Sequence, residues 1–265
     1  MYENRLKTIQ HYLYAHGTSS IETLVEHLGA SPATVRRDLV RLKAEGVIER
    51  THGGARLAES SGLEVAFNVR ERENWEVKRA IGRAAYRLLR PDSTVLMDAG
   101  TTVLQLARAI RLNPMPLTVI TNGLALAQEL VGLEGVKVIL LGGQLRADNL
   151  SSVGPYAEKL LEEFWCDQLF LGATAVNGEH NLMTLDADEA SINRKMLERA
   201  GESVLLADSS KFGHRGPYRV ANLEGISSVI TDDGLSDVWR TQVSKLGVNL
   251  ECAQLIGEQV NGEQA

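Results

Sequence analysis

Two cysteines, six prolines and 5 % aromatic residues are all that this chain of 265 residues holds of these types, and each scarcity removes a class of protein. Cys166 and Cys252 stand far apart, with no CxxC pair and no histidine cluster beside them, which argues against a disulfide framework and a zinc site. Each is expected as a small buried hydrophobe. No apolar run is long enough to span a bilayer, and no charged n-region with an apolar stretch opens the chain, so the expected compartment is the cytoplasm. GxxxxGK(S/T) does not occur and no expected strand ends in GxGxxG, which weakens a nucleotide-dependent kinase. No cofactor and no metal are expected. A general excess of positive charge is missing too, since the net charge is −6. The deficit is uneven: residues 1–57 hold eight Lys/Arg against six Asp/Glu, with four of the six histidines (His11, His16, His27, His52), and the rest hold twenty against twenty-eight. An acidic body with a mildly basic head suits a protein that touches nucleic acid with the head alone.

What the head does have is a short, strongly marked helix. In Ser31-Pro-Ala-Thr-Val-Arg-Arg-Asp-Leu-Val-Arg-Leu42, Ser31 is a good N-cap and Pro32 suits the first helical position, where a missing N–H costs nothing. Val35, Leu39 and Leu42 form one apolar stripe at i, i+4 and i+7, which turns Ala33, Thr34, Arg36, Arg37 and Arg41 outward. Small residues at a helix start let it enter a major groove closely, and arginines read guanine edges or neutralise phosphates. By itself the stretch fits an ordinary amphipathic helix with a solvated basic face equally well. Upstream, Leu6, Ile9 and Leu13 repeat at helical spacing until Gly17. Ser19 with Glu22 makes a capping-box pattern for a second helix, which carries Leu24, Val25 and Leu28 and ends at Gly29. So short a gap before Ser31 predicts a helix-turn-helix, or more simply a three-helix packing unit. Val47-Ile-Glu-Arg50 is strand-like, and Thr51-His-Gly-Gly-Ala-Arg56 is a glycine turn with a basic return. It reads either as a wing laying Arg50, His52 and Arg56 along DNA or as a plain tight turn.

Taken together and at their spacing, Ser31-Pro-x-Thr-Val-Arg-Arg-Asp-Leu and Arg50-Thr-His-Gly-Gly-Ala55 closely resemble the signature of the DeoR family of bacterial transcription regulators. The resemblance implies a winged helix-turn-helix whose two-helix motif covers about Ser19 to Asp38. Its implied operator contacts are Ser19, Ser31, Ala33, Thr34, Arg36, Arg37, Arg41, Arg50, His52 and Arg56.

Ala58-Glu-Ser-Ser-Gly62 is small, polar and aperiodic, a linker, and Glu71 to Leu89 carries an amphipathic helical pattern with Trp75, Ile81, Leu88 and Leu89. Beyond it, aliphatic runs starting at Thr94, Leu117, Val136, Gln168, Val204 and Val229 alternate with helical patterns. That rhythm predicts an α/β fold: a small N-terminal winged helix-turn-helix (1–57), a linker and connecting segment (58–74), and an open, mainly parallel sheet domain (75–257). In such a sheet the ligand crevice lies beyond the carboxyl ends of the strands. Strands here end in glycine, threonine, asparagine or aspartate, residues that also simply favour turns and caps. Asp98-Ala-Gly-Thr-Thr102 has the makings of a phosphate cradle, with a glycine for close approach, two hydroxyls and the free N–H groups of a following helix. Lys211 would add a cation, and Asp208 would orient it or take a sugar hydroxyl.

Asp98-x-Gly-Thr-Thr, Thr121-Asn, Gly142-Gly143, Ser151-Ser-x-Gly154, Phe170-Leu-Gly172 and Ala207-Asp-Ser-Ser-Lys-Phe-Gly213 are similar to successive blocks of the same family's sensor domain, so the resemblance covers roughly Met1 to Leu255. It implies a sensor fold similar to sugar-phosphate isomerases and a phosphorylated sugar or polyol as effector. The implied ligand contacts are Gly100, Thr101, Thr102, Thr121, Asn122, Gly143 and Lys211, with Asp98, Arg146, Glu189 and Lys195 as further candidates. Arg146 and Lys195 also read as solvated surface charges. The rival is a sugar-phosphate isomerase-like enzyme, which needs a carboxylate within proton-transfer reach of the substrate carbon. Gly172-Ala-Thr-Ala-Val-Asn177 offers none, while Asp186, Asp188 and Glu189 follow further on, where they also suit a helix N-terminus. The expectation is therefore a non-enzymatic, cytoplasmic and nucleoid-associated repressor of a carbohydrate or polyol operon. It would bind operator DNA and a phosphorylated effector as a dimer or tetramer matching palindromic half-sites.

Overall fold

The structure, a computed structural model, describes residues 5, 6, 8–10, 12, 13, 18–44, 47–51, 53–57 and 67–255. His52, the helix end expected at Gly17 and the Ala58–Gly62 linker lie outside the described residues. In the head, β1 (Thr18–Ser20), α1 (Ile21–Leu28), α2 (Pro32–Ala44), β2 (Ile48–Thr51) and β3 (Gly54–Leu57) follow one another. The three strands pair antiparallel in the order β1-β3-β2. Leu6, Ile9 and Leu13 pack with Leu24, Val35, Leu39, Leu42 and Ile48 into one core, the apolar stripe read from the sequence. Gly29 ends α1 in the left-handed region, φ 58°. The cap of α1 is Ser20, whose Oγ accepts the Thr23 N–H at 3.1 Å, rather than Ser19. Ser19 sits instead in β1 opposite Ala55, since three polar residues are too few to display strand alternation.

The body opens with α3 (Phe67–Arg72) and α4 (Trp75–Tyr86). The single pattern expected from Glu71 to Leu89 is thus broken: Asn74, at φ 48°, separates the two helices. Trp75, expected on the apolar side, is 46 % exposed, with the Arg79 guanidinium 4.8 Å above its ring. Phe67 is buried in the body's core, so the later part of segment 58–74 packs on the sheet.

There follow β4 (Thr94–Met97), α5 (Thr101–Leu112), β5 (Leu117–Thr121), α6 (Leu124–Leu130), β6 (Val136–Leu140), β7 (Gln144–Arg146), β8 (Ser151–Val153) and α7 (Pro155–Glu162). Next come β9 (Cys166–Gly172), β10 (Ala175–Val176), β11 (Asn181–Thr184), α8 (Ala187–Glu198), β12 (Ala200–Leu206), β13 (Tyr218–Asn222), β14 (Ser228–Asp232), α9 (Asp237–Lys245) and β15 (Asn249–Ala253). Seven strands form a parallel sheet in the order β15-β14-β12-β9-β4-β5-β6. Both faces are covered, so side chains alternate between two apolar layers. Val95, Met97, Phe170 and Val204 join one layer with α4 and α5, and Leu96, Leu169, Leu171 and Leu205 join the other with α7 and α8. The chain winds outward from β4 through β5 and β6, then from β9 through β12, β14 and β15. The order therefore reverses between β4 and β9, where an open sheet forms its crevice.

Three features depart from the expected rhythm. A β7–β8 hairpin stands between β6 and α7, β10, β11 and β13 make a separate antiparallel sheet, and β15 adds a seventh parallel strand. β7, β8 and β10, of two or three residues, carry no period to detect, and β11, β13 and β15, of four or five, carry little more.

Candidate functional site

The head presents one outward face. Ser31 Oγ accepts the Thr34 N–H at 3.3 Å and shares a 2.9 Å hydrogen bond with the Thr34 hydroxyl, which fixes the first turn of α2. With Val35, Leu39 and Leu42 turned inward, Ala33, Arg36, Arg37 and Arg41 are exposed and Thr34 is half-buried. Asp38, on the same helix, is fully buried and accepts from Arg5 Nε at 2.6 Å and Nη2 at 3.2 Å, tying α2 to the first helix. The β2–β3 hairpin forms the expected wing. Arg50 is exposed, and Arg56 is held along the hairpin by Glu49, with Nη2–Oε2 2.6 Å.

In the body, the carboxyl ends of the strands bring most of the expected residues together. Asp98 leaves β4 and accepts the Gly172 N–H from β9 at 3.1 Å, which bridges the switch point. Its other oxygen, Oδ1, is buried without a partner. Burial pushes its carboxyl up to about 6, against the pull of backbone N–H groups of Gly172, Ala99 and Gly100 and of the Arg70 charge. Thr101 and Thr102 begin α5 and are buried, and Gly100, at the cap, supplies no side chain, so the first N–H groups of α5 keep no side-chain partner. The Thr121 hydroxyl is used internally: it donates to the Met97 carbonyl at 2.7 Å and accepts the Gly123 N–H at 3.0 Å. Asn122 Nδ2 donates to the Ser152 carbonyl at 3.3 Å, leaving its Oδ1 buried and unpartnered. Gly143 lies where a Cβ would fall 2.6 Å from the Val153 carbonyl oxygen, so its bare backbone answers a packing demand of the hairpin.

From β12, Asp208 Oδ1 caps a short 3-10 turn by accepting the Ser210 N–H at 3.1 Å, and also accepts from Asn74 Nδ2 at 3.3 Å. Its Oδ2 is another buried orphan, and Lys211 at the end of that turn is half-buried. Glu189 is buried at the start of α8, accepting from Thr184 Oγ1 and Asn149 Nδ2, both at 2.6 Å. Arg146 reaches over it, 3.5 Å from Glu189 and 3.4 Å from Asp186, so it is no solvated surface charge. Lys195 does not join them. It pairs with Glu162 at 3.1 Å and Glu198 at 3.3 Å, beside the chain that enters β9 at the opposite edge of the sheet.

Four residues of this edge went unread in the sequence. Arg70 Nη2 donates to Asn149 Oδ1 at 2.6 Å and to the Asp148 carbonyl at 3.2 Å, so α3 lies across the β7–β8 hairpin. Asn74 touches Asp208, and Lys78, fully buried, donates to the Arg70 carbonyl. Only Lys78 left a legible trace, a lysine on the apolar stripe it shares with Ile81 and Ala85. At the amino edge, a depression of about 520 Å³ lined by Arg90, Asp167 and Glu202 has its charges spent locally, on the Arg90–Glu202 pair and the Asp167–Thr94 N–H bond.

Chemically, the carboxyl edge combines an open helix N-terminus and cations, which suit an anion, with buried acceptors lacking donors, which suit hydroxyls. Among the described residues no group of three His, Cys, Asp or Glu could hold a metal ion, and no helix is long and apolar enough to cross a membrane.

A winged helix-turn-helix presenting arginines, joined to an α/β body with a polar crevice at its switch point, is the build of a DNA-binding transcriptional regulator with a sensor domain. The model of the DeoR-like helix-turn-helix domain matches residues 5–61 and that of the DeoR C terminal sensor domain matches residues 73–233. The chain belongs to the DeoR family. It is 42 % identical over 231 residues to the HTH-type transcriptional regulator GlpR of Haloferax volcanii, covering 87 % of this chain and 90 % of that one. Against the HTH-type transcriptional repressor GlcR of Bacillus subtilis it is 33 % identical, covering 98 % of each. It is also 33 % identical to the glycerol-3-phosphate regulon repressor of Escherichia coli strain K12, over 82 % of this chain and 85 % of that one.

Proposed function

We propose that this regulator represses a carbohydrate or polyol operon, and that a phosphorylated sugar or polyol held at the carboxyl edge of its sheet changes its grip on the operator. The observation that carries the reading is the juxtaposition at the switch point: the open start of α5 at Thr101 and Thr102 beside the orphaned oxygens of Asp98 and Asn122. The first matches a phosphate and the second match hydroxyl donors. The likeness to a glycerol-3-phosphate regulon repressor supports the same ligand class. Gly100, Arg146, Glu189 and Lys211 complete the pocket, with Thr121 and Gly143 shaping its backbone. The reading is of binding without turnover: the loop after β9 carries no carboxylate, and Asp98, Asp208 and Glu189 are each engaged by donors of the protein itself, Gly172 N–H, Ser210 N–H and the Thr184 and Asn149 side chains.

In the head, Ala33, Thr34, Arg36, Arg37 and Arg41 read the major groove. Ser19 and Ser31 near the helix starts, with Arg50 and Arg56 of the wing, hold phosphates. The division of labour runs at residues 1–57, 58–74 and 75–257, in the cytoplasm, with two or four copies presenting paired heads to a palindromic operator. Fluorescence anisotropy of labelled DNA from upstream of the chain's own gene cluster tests this. Tight, competitor-resistant binding altered by one phosphorylated polyol or sugar, and not by its unphosphorylated form, is the expected result. Binding indifferent to every phosphate would refute the effector half.

A further inference from the structure

The two outer strands of the parallel sheet differ in what they offer. β15 closes one side with Asn249 and Glu251, and Glu251 is paired with Arg87. β6 closes the other as Val136-Lys-Val-Ile-Leu140, with Lys137 its one charge. Charges blunt a sheet edge, whereas an apolar edge with free N–H and C=O groups is a template for another strand. Along the ladder with β5, the Leu117 N–H donates to the Gly135 carbonyl at 3.0 Å and the Leu141 N–H to the Thr121 carbonyl at 2.8 Å. The odd-numbered residues of β6 therefore face β5, and the backbone groups of Val138 and Leu140, with the Val136 carbonyl, point outward. Among the described residues no strand lies beyond them.

This set of groups is complementary to itself. With a second β6 running antiparallel about a two-fold axis at Val138, the two Val138 residues exchange N–H···O=C bonds, and the Leu140 N–H meets the carbonyl of the partner's Val136. The Val136 N–H needs no such partner, since it already donates to the Leu133 carbonyl at 3.2 Å. Lys137 falls opposite the partner's Ile139 rather than opposite its own copy.

The side chains beside this edge are apolar and exposed. Glu162 of α7 pairs with Lys195 of α8, which marks the flank of α7 that faces α8. Because α8 lies over β9 and β12, the other flank looks toward β6, and it carries Tyr156 and Leu160 one turn apart, 82 % and 36 % exposed. Leu145 of the β7–β8 hairpin, 65 % exposed, adjoins them, because Gly143 lies against Ala157, whose Cβ would stand 3.1 Å from a Cβ there. On the opposite face of the sheet the helices instead close on each other: α4 meets α5 at Gly82, where a Cβ would stand 2.6 Å from the Gln105 backbone. An aromatic side chain alone brings about 150–250 Å², so two such patches face to face cover on the order of 1,000 Å², enough for a specific pair.

We propose that the outer edge of β6, with Leu145, Tyr156 and Leu160 beside it, is the two-fold interface at which a second copy of this chain docks, joining the two parallel sheets into one. This rests on the paired-copy reading above and names the surface that makes the pair.

Sedimentation velocity and residue-resolved amide hydrogen exchange of the full chain across a dilution series test it. The expected result is a dimer whose Val138 and Leu140 amides lose protection on dilution to monomer, while those of Lys137 and Ile139, bonded within the sheet, keep it. Leu145→Lys with Tyr156→Lys should raise the dimer dissociation constant about thirtyfold or more with the circular dichroism unchanged. Val238→Lys, as exposed as Leu145 but on α9 beside β15, should leave it at the wild-type value. Val138 and Leu140 amides that exchange freely in the dimer overturn this interface and leave paired copies standing on another surface. A chain that stays monomeric while it binds its operator overturns both, and gives the face to an unlike partner. Should the double variant fail to fold, the wild-type exchange pattern decides.

Discussion

The two ends of this molecule that meet other molecules are built on opposite principles. On α2 the polar groups that matter are exposed, and the single buried charge, Asp38, is matched by Arg5. At the carboxyl edge of the sheet the polar groups are buried, and several, including Asp98 Oδ1, Asn122 Oδ1 and Asp208 Oδ2, have no partner. A surface that reads a long, hydrated polyanion gains from arginines kept in water until contact, since the partner supplies its own field. A pocket for a small solute must instead be dry and preorganised, and its unsatisfied atoms are stability given up for binding. The head is therefore locally complete without its partner, and the crevice is not.

That contrast can be broken most forcefully in the head. Arg36→Ala with Arg37→Ala should cost about 1–3 kcal/mol of operator affinity for each base edge that is no longer read, measured by anisotropy, while calorimetric effector affinity stays at the wild-type value. Retained operator binding would remove α2 from the groove. Arg5→Ala leaves Asp38 buried and unmatched, and about 2 kcal/mol of head stability should go with it. Thermal melting would show the loss, and an unchanged melt would make the pair incidental.

In the crevice the sign reverses. The Asp98 carboxyl is held at about 6 in the folded chain, above its ordinary value, so the folded state carries more proton there than the unfolded one. The resulting stability is fully present below the ordinary carboxylate range and is lost as pH rises through about 6. Asp98→Asn keeps an acceptor for the Gly172 N–H and removes the buried charge, so melting at pH 8 should rise by the equivalent of about 2 kcal/mol. The gain should vanish at acid pH, while effector affinity falls. Destabilisation at pH 8 would mean that the charge is compensated. Smallest is Thr101→Val, which removes a hydroxyl and keeps the shape. It should weaken a phosphorylated effector by about 1 kcal/mol and leave DNA binding in the absence of effector untouched.

Legibility followed the same division. Ser31, Pro32 and the stripe Val35, Leu39, Leu42 could be read directly, because capping and periodicity are local. The strand at Thr94 to Met97 and its Asp98-Ala-Gly-Thr-Thr102 loop were equally plain. Arg70 meeting Asn149, or Asn74 meeting Asp208, depends on residues far apart in the chain finding one another, and no local pattern encodes that. The strand at Thr18 was hidden by its three residues, and the cap shifted from Ser19 to Ser20 because adjacent serines are equivalent to any pattern. Lys195 misled for the converse reason: its helix does start at the crevice, but two turns of rise carry it to the other edge.

Gly82 has a mechanical consequence. By letting α4 rest directly against the backbone of Gln105, it creates a pivot with no compliant side chain between the two rods. From that fulcrum to Lys78 is about 6 Å, and to Asn74, where the chain bends back toward α3, about 12 Å. A tilt of α4 about Gly82 would therefore move Asn74 about twice as far as Lys78.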